Sequence, residues 1–264
     1  MMHPLDISLP KTLAEAVELA QDEDTQLLSG GQTLIPTLKA RLSTPARLIA
    51  LRKVAGLSGL RMERGMLCIG ATTTHATVAR ETVAHYPALA RLAGNIGDPS
   101  VRNRGTIGGS IANNDPSACY PSAALASDAV IVTHAREIAA ADYFLGMFET
   151  ALETGEIVTE LRFRVPDAAH YVKFRQPASR FALTGVFVAR FGKVVRVAVT
   201  GASETGVFRW SEAEAALGES FAPAAVEALS PPARRMISDL HGSGDYRAHL
   251  TRVLTADAVR AILA

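Results

Sequence analysis

Cysteine is scarce in this chain. Only Cys68 and Cys119 occur among 264 residues, with no Cys-x-x-Cys spacing and no Cys/His cluster. That excludes a disulfide framework, a zinc site and an iron–sulfur cluster held by this chain alone, and no metal ligands are expected. Electrons passing through it would need an organic cofactor. Long apolar runs are missing too: no stretch reaches the roughly 18 residues of a membrane-spanning helix. Neither sign of charge is in excess. Lys and Arg number 27 against 26 Asp and Glu, a net charge of +1, so nothing marks a surface for nucleic acid or an acidic membrane. Anions would have to be held locally. Trp210 is the single tryptophan and cannot define a stacking platform, and the seven histidines are scattered with no i, i+4 pair. His75 reads as a surface or capping residue. The opening Met1-Met2-His3-Pro4 lacks the basic and apolar regions of a secretion signal, which makes cytoplasmic residence the expectation. Two nucleotide fingerprints are absent as well: no G-x-G-x-x-G follows the first predicted strand, and no G-x-x-x-x-G-K-[ST] occurs.

What is present is enough apolar residue, 48% of the chain, for one large domain or several small ones. Thr12 and Glu15 form a capping box ahead of a helix with Leu13, Ala16, Val17 and Ala20 on one face. Residues 26–29 then read as a short strand, 33–42 as a helix and 47–51 as the next strand. This is a strand, glycine turn, helix, strand unit of the kind many nucleotide sites use. Further strands are predicted over 66–69, 129–133 and 161–165. Helices are predicted over 75–80 (capped by Thr74), 86–93, 121–126 and 142–149. Pro166-Asp167-Ala168 breaks the pattern. Beyond it, 171–175, 182–191 and 194–200 read as strands, the last two joined at Gly192-Lys193, and helices follow, the final one over 256–263 capped by Thr255.

Two glycine pairs carry the chemistry: Ser29-Gly30-Gly31-Gln32-Thr33-Leu34-Ile35-Pro36 and Arg104-Gly105-Thr106-Ile107-Gly108-Gly109-Ser110. Adjacent glycines take positive φ and let a ligand approach the backbone, and a helix starting there aims N–H groups at an anion. Taken singly, such a pair is more often a plain turn. Here the flanks Ser29, Gln32, Thr33, Thr106 and Ser110 are small or neutral groups able to complete the hydrogen bonds of a pyrophosphate.

The first stretch resembles the first FAD-binding loop of the FAD-binding medium subunit of molybdenum hydroxylases, the family of xanthine dehydrogenase and aerobic carbon monoxide dehydrogenase. Ile96 to Ser110, with Thr106-Ile107-Gly108-Gly109, resembles that family's second loop. Phe148 to Leu152, Gly155 to Val158 and Tyr171 to Arg180 are similar as well, so the likeness runs in order from about Pro10 to Gly201. The resemblance implies an α+β chain: a two-subdomain α/β FAD-binding region of the PCMH/VAO-like kind, over 1–55 and 56–166, then a C-terminal antiparallel-sheet α+β domain over 167–264 similar to the C-terminal part of carbon monoxide dehydrogenase flavoproteins. It implies FAD as cofactor. Gly30 to Leu34 and Thr106 to Ser110 would hold the pyrophosphate and adjoining ribityl or ribose, and Ile96 and Val158 would be apolar walls near the rings. Lys173 matches a lysine close to FAD, against the alternative of a solvated strand-edge lysine.

One departure stands out. Where the family commonly has a second acidic residue after Asp115-Pro116, this chain has Cys119, and a thiol cannot replace a carboxylate acceptor. Asp115 or Asn114 would take that role, and Cys119 reads as a small buried hydrophobe rather than a reactive thiol. Arg102 and Arg104 either meet phosphates or, as the resemblance favours, brace the loop through carboxylates or face a partner subunit. The implied function is electron transfer within a heteromeric molybdenum hydroxylase, from an iron–sulfur small subunit and a molybdopterin large subunit through FAD to an external acceptor. NAD, a quinone and dioxygen stay open as that acceptor. No residue here is expected to be catalytic toward substrate. Two rival readings are a free-standing FAD-dependent oxidoreductase and an interaction subunit with a decayed FAD site.

Overall fold

The computed structural model describes residues 3–264. Met1 and Met2, at the head of the tetrapeptide considered for a leader, lie outside the described residues. The chain begins with β1 (Asp6–Ser8), α1 (Leu13–Leu19), β2 (Thr25–Leu28), α2 (Leu34–Lys39) and β3 (Arg47–Ala50). Its three strands form a parallel sheet in the order β1-β3-β2. The strand, glycine turn, helix, strand unit is therefore real. The edge strand β1 had no sequence signal, being three half-polar residues long. Thr12 caps α1 by accepting the Glu15 N–H at 3.2 Å, while the Glu15 carboxylate accepts from the N–H of Lys11 at 2.9 Å. The reciprocal bond thus lands one residue earlier than a standard capping box.

A second sheet follows. Its elements, with the helices between them, are β4 (Leu60–Glu63), β5 (Met66–Gly70), α3 (His75–Glu81), α4 (Pro87–Gly94), α5 (Pro99–Arg102), α6 (Ile107–Asn113), α7 (Tyr120–Ala126), β6 (Val130–Thr133), β7 (Glu137–Ala139), α8 (Ala140–Tyr143), β8 (Phe144–Gly146), β9 (Glu149–Thr150) and β10 (Val158–Arg164). The antiparallel order is β4-β5-β10-β6-β7, with β8 and β9 a separate hairpin. The helix predicted over 142–149 is not formed. Phe148 takes a positive φ of 58°, and Asn114 holds the hairpin instead. Its Nδ2 donates to the carbonyls of Gly146 and Glu149, both at 2.8 Å, and its own carbonyl accepts the Phe148 N–H at 3.0 Å. An apolar-polar pattern cannot register a partner so far away in the chain.

The third sheet, antiparallel in the order β11-β12-β13-β14, consists of β11 (Ala168–Arg175), β12 (Ala182–Phe191), β13 (Val194–Thr200) and β14 (Phe208–Arg209). Along β12, Phe187 and Ala189 face the core shared with α4, α7 and the second sheet. Val186 and Val188 face a separate core against α9 (Ser211–Glu219), α10 (Ala224–Glu227) and α11 (Gly244–Leu263). Alternate residues are buried on opposite faces, so the strand reads as one continuous apolar run. The last helix does not start at Thr255. Ser243 caps it, accepting the Tyr246 N–H at 3.2 Å. Thr255 lies mid-helix, its hydroxyl donating back to the carbonyl of Thr251 at 2.7 Å. Among the described residues no helix is long and apolar enough to cross a membrane.

Candidate functional site

The first glycine turn leaves β2 and enters α2. Gly31 has a φ of +74°, and a Cβ on Gly30 would stand 2.7 Å from Gly105 Cα and closer still to the Arg104 carbonyl oxygen. The two glycine turns therefore touch backbone to backbone, through a contact only glycine permits. Ser29 Oγ and Thr106 Oγ1 share a hydrogen bond of 2.8 Å across the junction. The N–H groups of Gly30, Gly31, Gln32, Thr33 and Leu34 have no acceptor among the described residues. Gln32 and Thr33 are exposed, Ser29 and Leu34 half-buried. This is an open run of donors on a solvent-facing rim.

The second turn is closed on itself. Thr106 caps α6, its Oγ1 accepting the Gly109 N–H at 3.2 Å. Ile107 N–H donates to Thr73 O at 3.0 Å, Gly108 N–H to Ala71 O at 2.8 Å and Ser110 N–H to Thr106 O at 3.0 Å. Gly105, Thr106, Ile107 and Gly108 are buried, while Gly109 and Ser110 are half-buried. A Cβ on Gly109 would fill the gap between the turns, 2.9 Å from Thr106 Oγ1 and 3.7 Å from Ser29 Cβ. The free amides of the first turn, the hydroxyls of Ser29 and Thr106, and that bare Gly109 make a cradle that suits a diphosphate.

His75 is a supporting residue that sequence reasoning misjudged. It is not on the surface: it is 5% exposed at the start of α3. Its N–H donates to Gly105 O at 3.0 Å, and a Cβ on Gly105 would stand 2.6 Å from its Nε2. Burial, and then the nearby Arg102 guanidinium, lower its pKa to about 4, so the ring packs there neutral. Arg102 braces the loop, though through carbonyls rather than carboxylates: its Nη1 donates to Ile96 O at 2.9 Å and Gly97 O at 3.0 Å. Ile96 is half-buried against the main core.

The remaining predicted residues fall into two groups. Val158 is buried in the main core at the start of β10, and Asn114 is buried with its amide nitrogen engaged by the β8–β9 hairpin. Asp115 closes a local turn, accepting the Ser117 N–H at 2.8 Å. Cys119 and Lys173 are brought together: the Lys173 ammonium donates to Cys119 Sγ at 3.5 Å and to Arg180 O at 3.0 Å.

Residues 3–167 match the family described as FAD binding domain in molybdopterin dehydrogenase. Over 273 residues the chain is 33% identical to the carbon monoxide dehydrogenase medium chain of Hydrogenophaga pseudoflava, covering 96% of this chain and 94% of that one. The chain belongs to this family. It is similar as well to the nicotine 6-hydroxylase medium subunit of Paenarthrobacter nicotinovorans, 33% identical with 93% and 92% of the two chains covered. The fold agrees. The solved carbon monoxide dehydrogenase of H. pseudoflava, in a form lacking the Mo-pyranopterin moiety of its molybdenum cofactor, superposes with a TM-score of 0.87. That match is at 31% identity and covers 100% of this chain and 98% of that one. This medium subunit is thus an FAD-binding flavoprotein subunit of an oxidoreductase of the carbon monoxide dehydrogenase type.

Proposed function

We propose that this medium subunit is the electron-transfer flavoprotein of a heteromeric molybdenum hydroxylase. It receives electrons from an iron–sulfur small subunit beside a molybdopterin large subunit and delivers them to an external acceptor. The observation that carries this reading is the contact of the two glycine turns, with the open amides of residues 30–34 on its rim. Bound FAD supplies the redox chemistry. The chain's own residues bind and orient. Gly30, Gly31, Gln32, Thr33 and Leu34 offer main-chain N–H groups to the pyrophosphate. Ser29, Thr106 and Ser110 would add hydroxyl donors, bare Gly109 would leave room between the turns, and Ile107 and Gly108 pack behind it. Ile96 and Val158 would supply apolar walls for the ring system. Asn114, Asp115 and Cys119 set the shape of the segment leading into α7. Lys173 places a positive charge beside it, which favours negative charge on a reduced cofactor.

The sheets support a division into 1–55, 56–166 and 167–264 as the two FAD-binding subdomains and the C-terminal domain, since each sheet larger than a hairpin falls within one of those ranges. Cytoplasmic residence belongs to the same proposal. The test is co-purification from native extract with FAD quantified. The expected result is one FAD per chain, retained with two neighbours, one rich in clustered cysteines and one large. A colourless chain that refuses added FAD overturns it, and substrate turnover by the chain without partners favours the free-standing oxidoreductase.

A further inference from the structure

We propose that the basic surface beside the glycine cradle, carried by Arg102, Arg104, Lys173, Arg175 and Arg180, docks a small acidic electron-carrier protein. This rests on the electron-transfer reading and names the class of its external acceptor. The chain as a whole is almost neutral, at +1, yet residues 95–104 and 173–181 set these cations against the single carboxylate of Asp98. Arg175 Nη2 donates to the side-chain oxygen of Asn95, which joins the two segments. Lys173 Nζ donates to Arg180 O at 3.0 Å, which folds the loop after β11 back onto its strand. The surface borders the cradle, since the Arg104 carbonyl is the group that a Cβ on Gly30 would strike.

Elsewhere arginines are neutralised by carboxylates, as in Arg136–Glu156 at 2.9 Å, Arg162–Glu137 at 2.6 Å and Arg247–Asp239 at 2.8 Å. Here none of the cations forms an ion pair among the described residues. Their hydrogen bonds go to neutral atoms: Arg102 to the carbonyls of Ile96 and Gly97, Lys173 to the Arg180 carbonyl and the Cys119 sulfur, Arg175 to an amide. Each bond fixes a cation without cancelling its charge. Asp98 does not cancel them either, because its carboxylate caps α5 by accepting the Val101 N–H at 3.0 Å. That bond first, then the Ser100 N–H and the charges of Arg180 and Arg102, hold its pKa low.

The layout selects the kind of anion. No two of the cations share an acceptor, so positive charge is spread over two segments rather than gathered around one phosphate-sized pocket. Arg104, Arg175 and Arg180 are exposed, and Phe181, 54% exposed, adds an aromatic ring next to Arg180. A charged, solvent-facing patch of this kind fits a weak redox encounter steered by complementary charge, whereas permanent subunit interfaces are larger and deplete charge at their centre. Two carriers docking in turn take the two electrons of a reduced flavin, one each, and its two protons pass to water.

The test measures binding of the full chain, with no flavin added, to two small haem proteins of opposite charge, acidic cytochrome b5 and basic cytochrome c. Calorimetric titrations are run at about 20 and about 200 mM salt. Cytochrome b5 is expected to bind, at least roughly tenfold more weakly at the higher salt, and cytochrome c to show no binding. Arg175→Glu with Arg180→Glu should weaken cytochrome b5 at least roughly tenfold, and Arg180→Glu alone should act in the same direction. Arg64→Glu, the same charge change at the turn between β4 and β5, should leave it unchanged, and FAD titrations equal to wild type in all three variants show the cradle intact. In the photoreduced, FAD-loaded chain the rate of cytochrome b5 reduction should follow the same order. Equal binding of both haem proteins, binding that ignores salt, or a chain that takes a short single-stranded DNA but not cytochrome b5 overturns the proposal. A chain that binds cytochrome b5 yet refuses FAD sinks the electron-transfer reading, and one that takes FAD yet ignores cytochrome b5 sinks only the docking surface.

Discussion

Gly30 and Gly108 lack a Cβ for different reasons. At Gly30 the obstacles are Gly105 Cα and the Arg104 carbonyl, which belong to the other turn. At Gly108 they are Ala71 Cβ at 2.5 Å and Ala71 O at 2.7 Å, in the turn that directly follows β5. The hydrogen bonds divide in the same way. Residues 30–34 keep their N–H groups open, whereas Ile107, Gly108, Gly109 and Ser110 give theirs to Thr73, Ala71 and Thr106. Two motifs that look equivalent as text therefore differ in structure: one leaves its donors open, and the other is a hydrogen-bonded buttress against which the first is set.

The sharpest way to break this contrast is Gly30→Ala. Its added carbon runs into the backbone of Arg104 and Gly105 in the other turn, so the cost sits at the upper end of the roughly 1–3 kcal/mol of overpacking. Because the turns must part to make room, FAD affinity should fall on the order of a hundredfold. A flavin fluorescence titration showing unchanged affinity would refute the close approach.

Acid should act on the buttress next. The folded His75 pKa of about 4 lies below the ordinary 6.5, so the unfolded chain takes up its proton first. The stability from a neutral His75 is complete above pH 6.5 and declines as pH falls through the window from 6.5 to about 4, the loss reaching on the order of 3 kcal/mol once both states are protonated. Denaturant melts across that window should show the loss, and His75→Gln should flatten it.

Gly108→Ala sharpens the comparison from the other side. About 2 kcal/mol of stability should be lost through the collision with Ala71, with FAD affinity in the surviving folded protein nearly unchanged. A Gly108→Ala chain that melts normally but binds FAD poorly would reverse the assignment of the two turns. The smallest effect is expected of Thr106→Val. It removes the cap on Gly109 N–H and the bond to Ser29, worth about 1 kcal/mol together. Thermal melts with and without FAD would show whether the bond between the turns matters more to the fold or to the ligand.

Much of this architecture is legible in the residue pattern because its causes are local. The β2–α2–β3 unit, the Thr74 cap on α3 and the hairpin at Gly192-Lys193 follow from strand alternation, a side-chain cap and turn chemistry within a few residues. The misreadings share a different cause. The β8–β9 hairpin depends on Asn114, and the burial of His75 depends on Gly105, Arg102 and Tyr120, whose ring centre is 5.3 Å from its own. α11 runs past Thr255 because Ser243 caps it far upstream. In each case the deciding partner is distant in the chain.

The site divides along the same line. By itself the sequence determined that two glycine turns exist, that small polar residues flank them, and that the two cysteines have no Cys-x-x-Cys spacing. Only the tertiary structure decided which turn keeps its amides free, and that Cys119 lies against Lys173. The reason is physical: a backbone conformation is set by neighbouring residues, but whether a donor is left without an acceptor depends on every segment that packs against it.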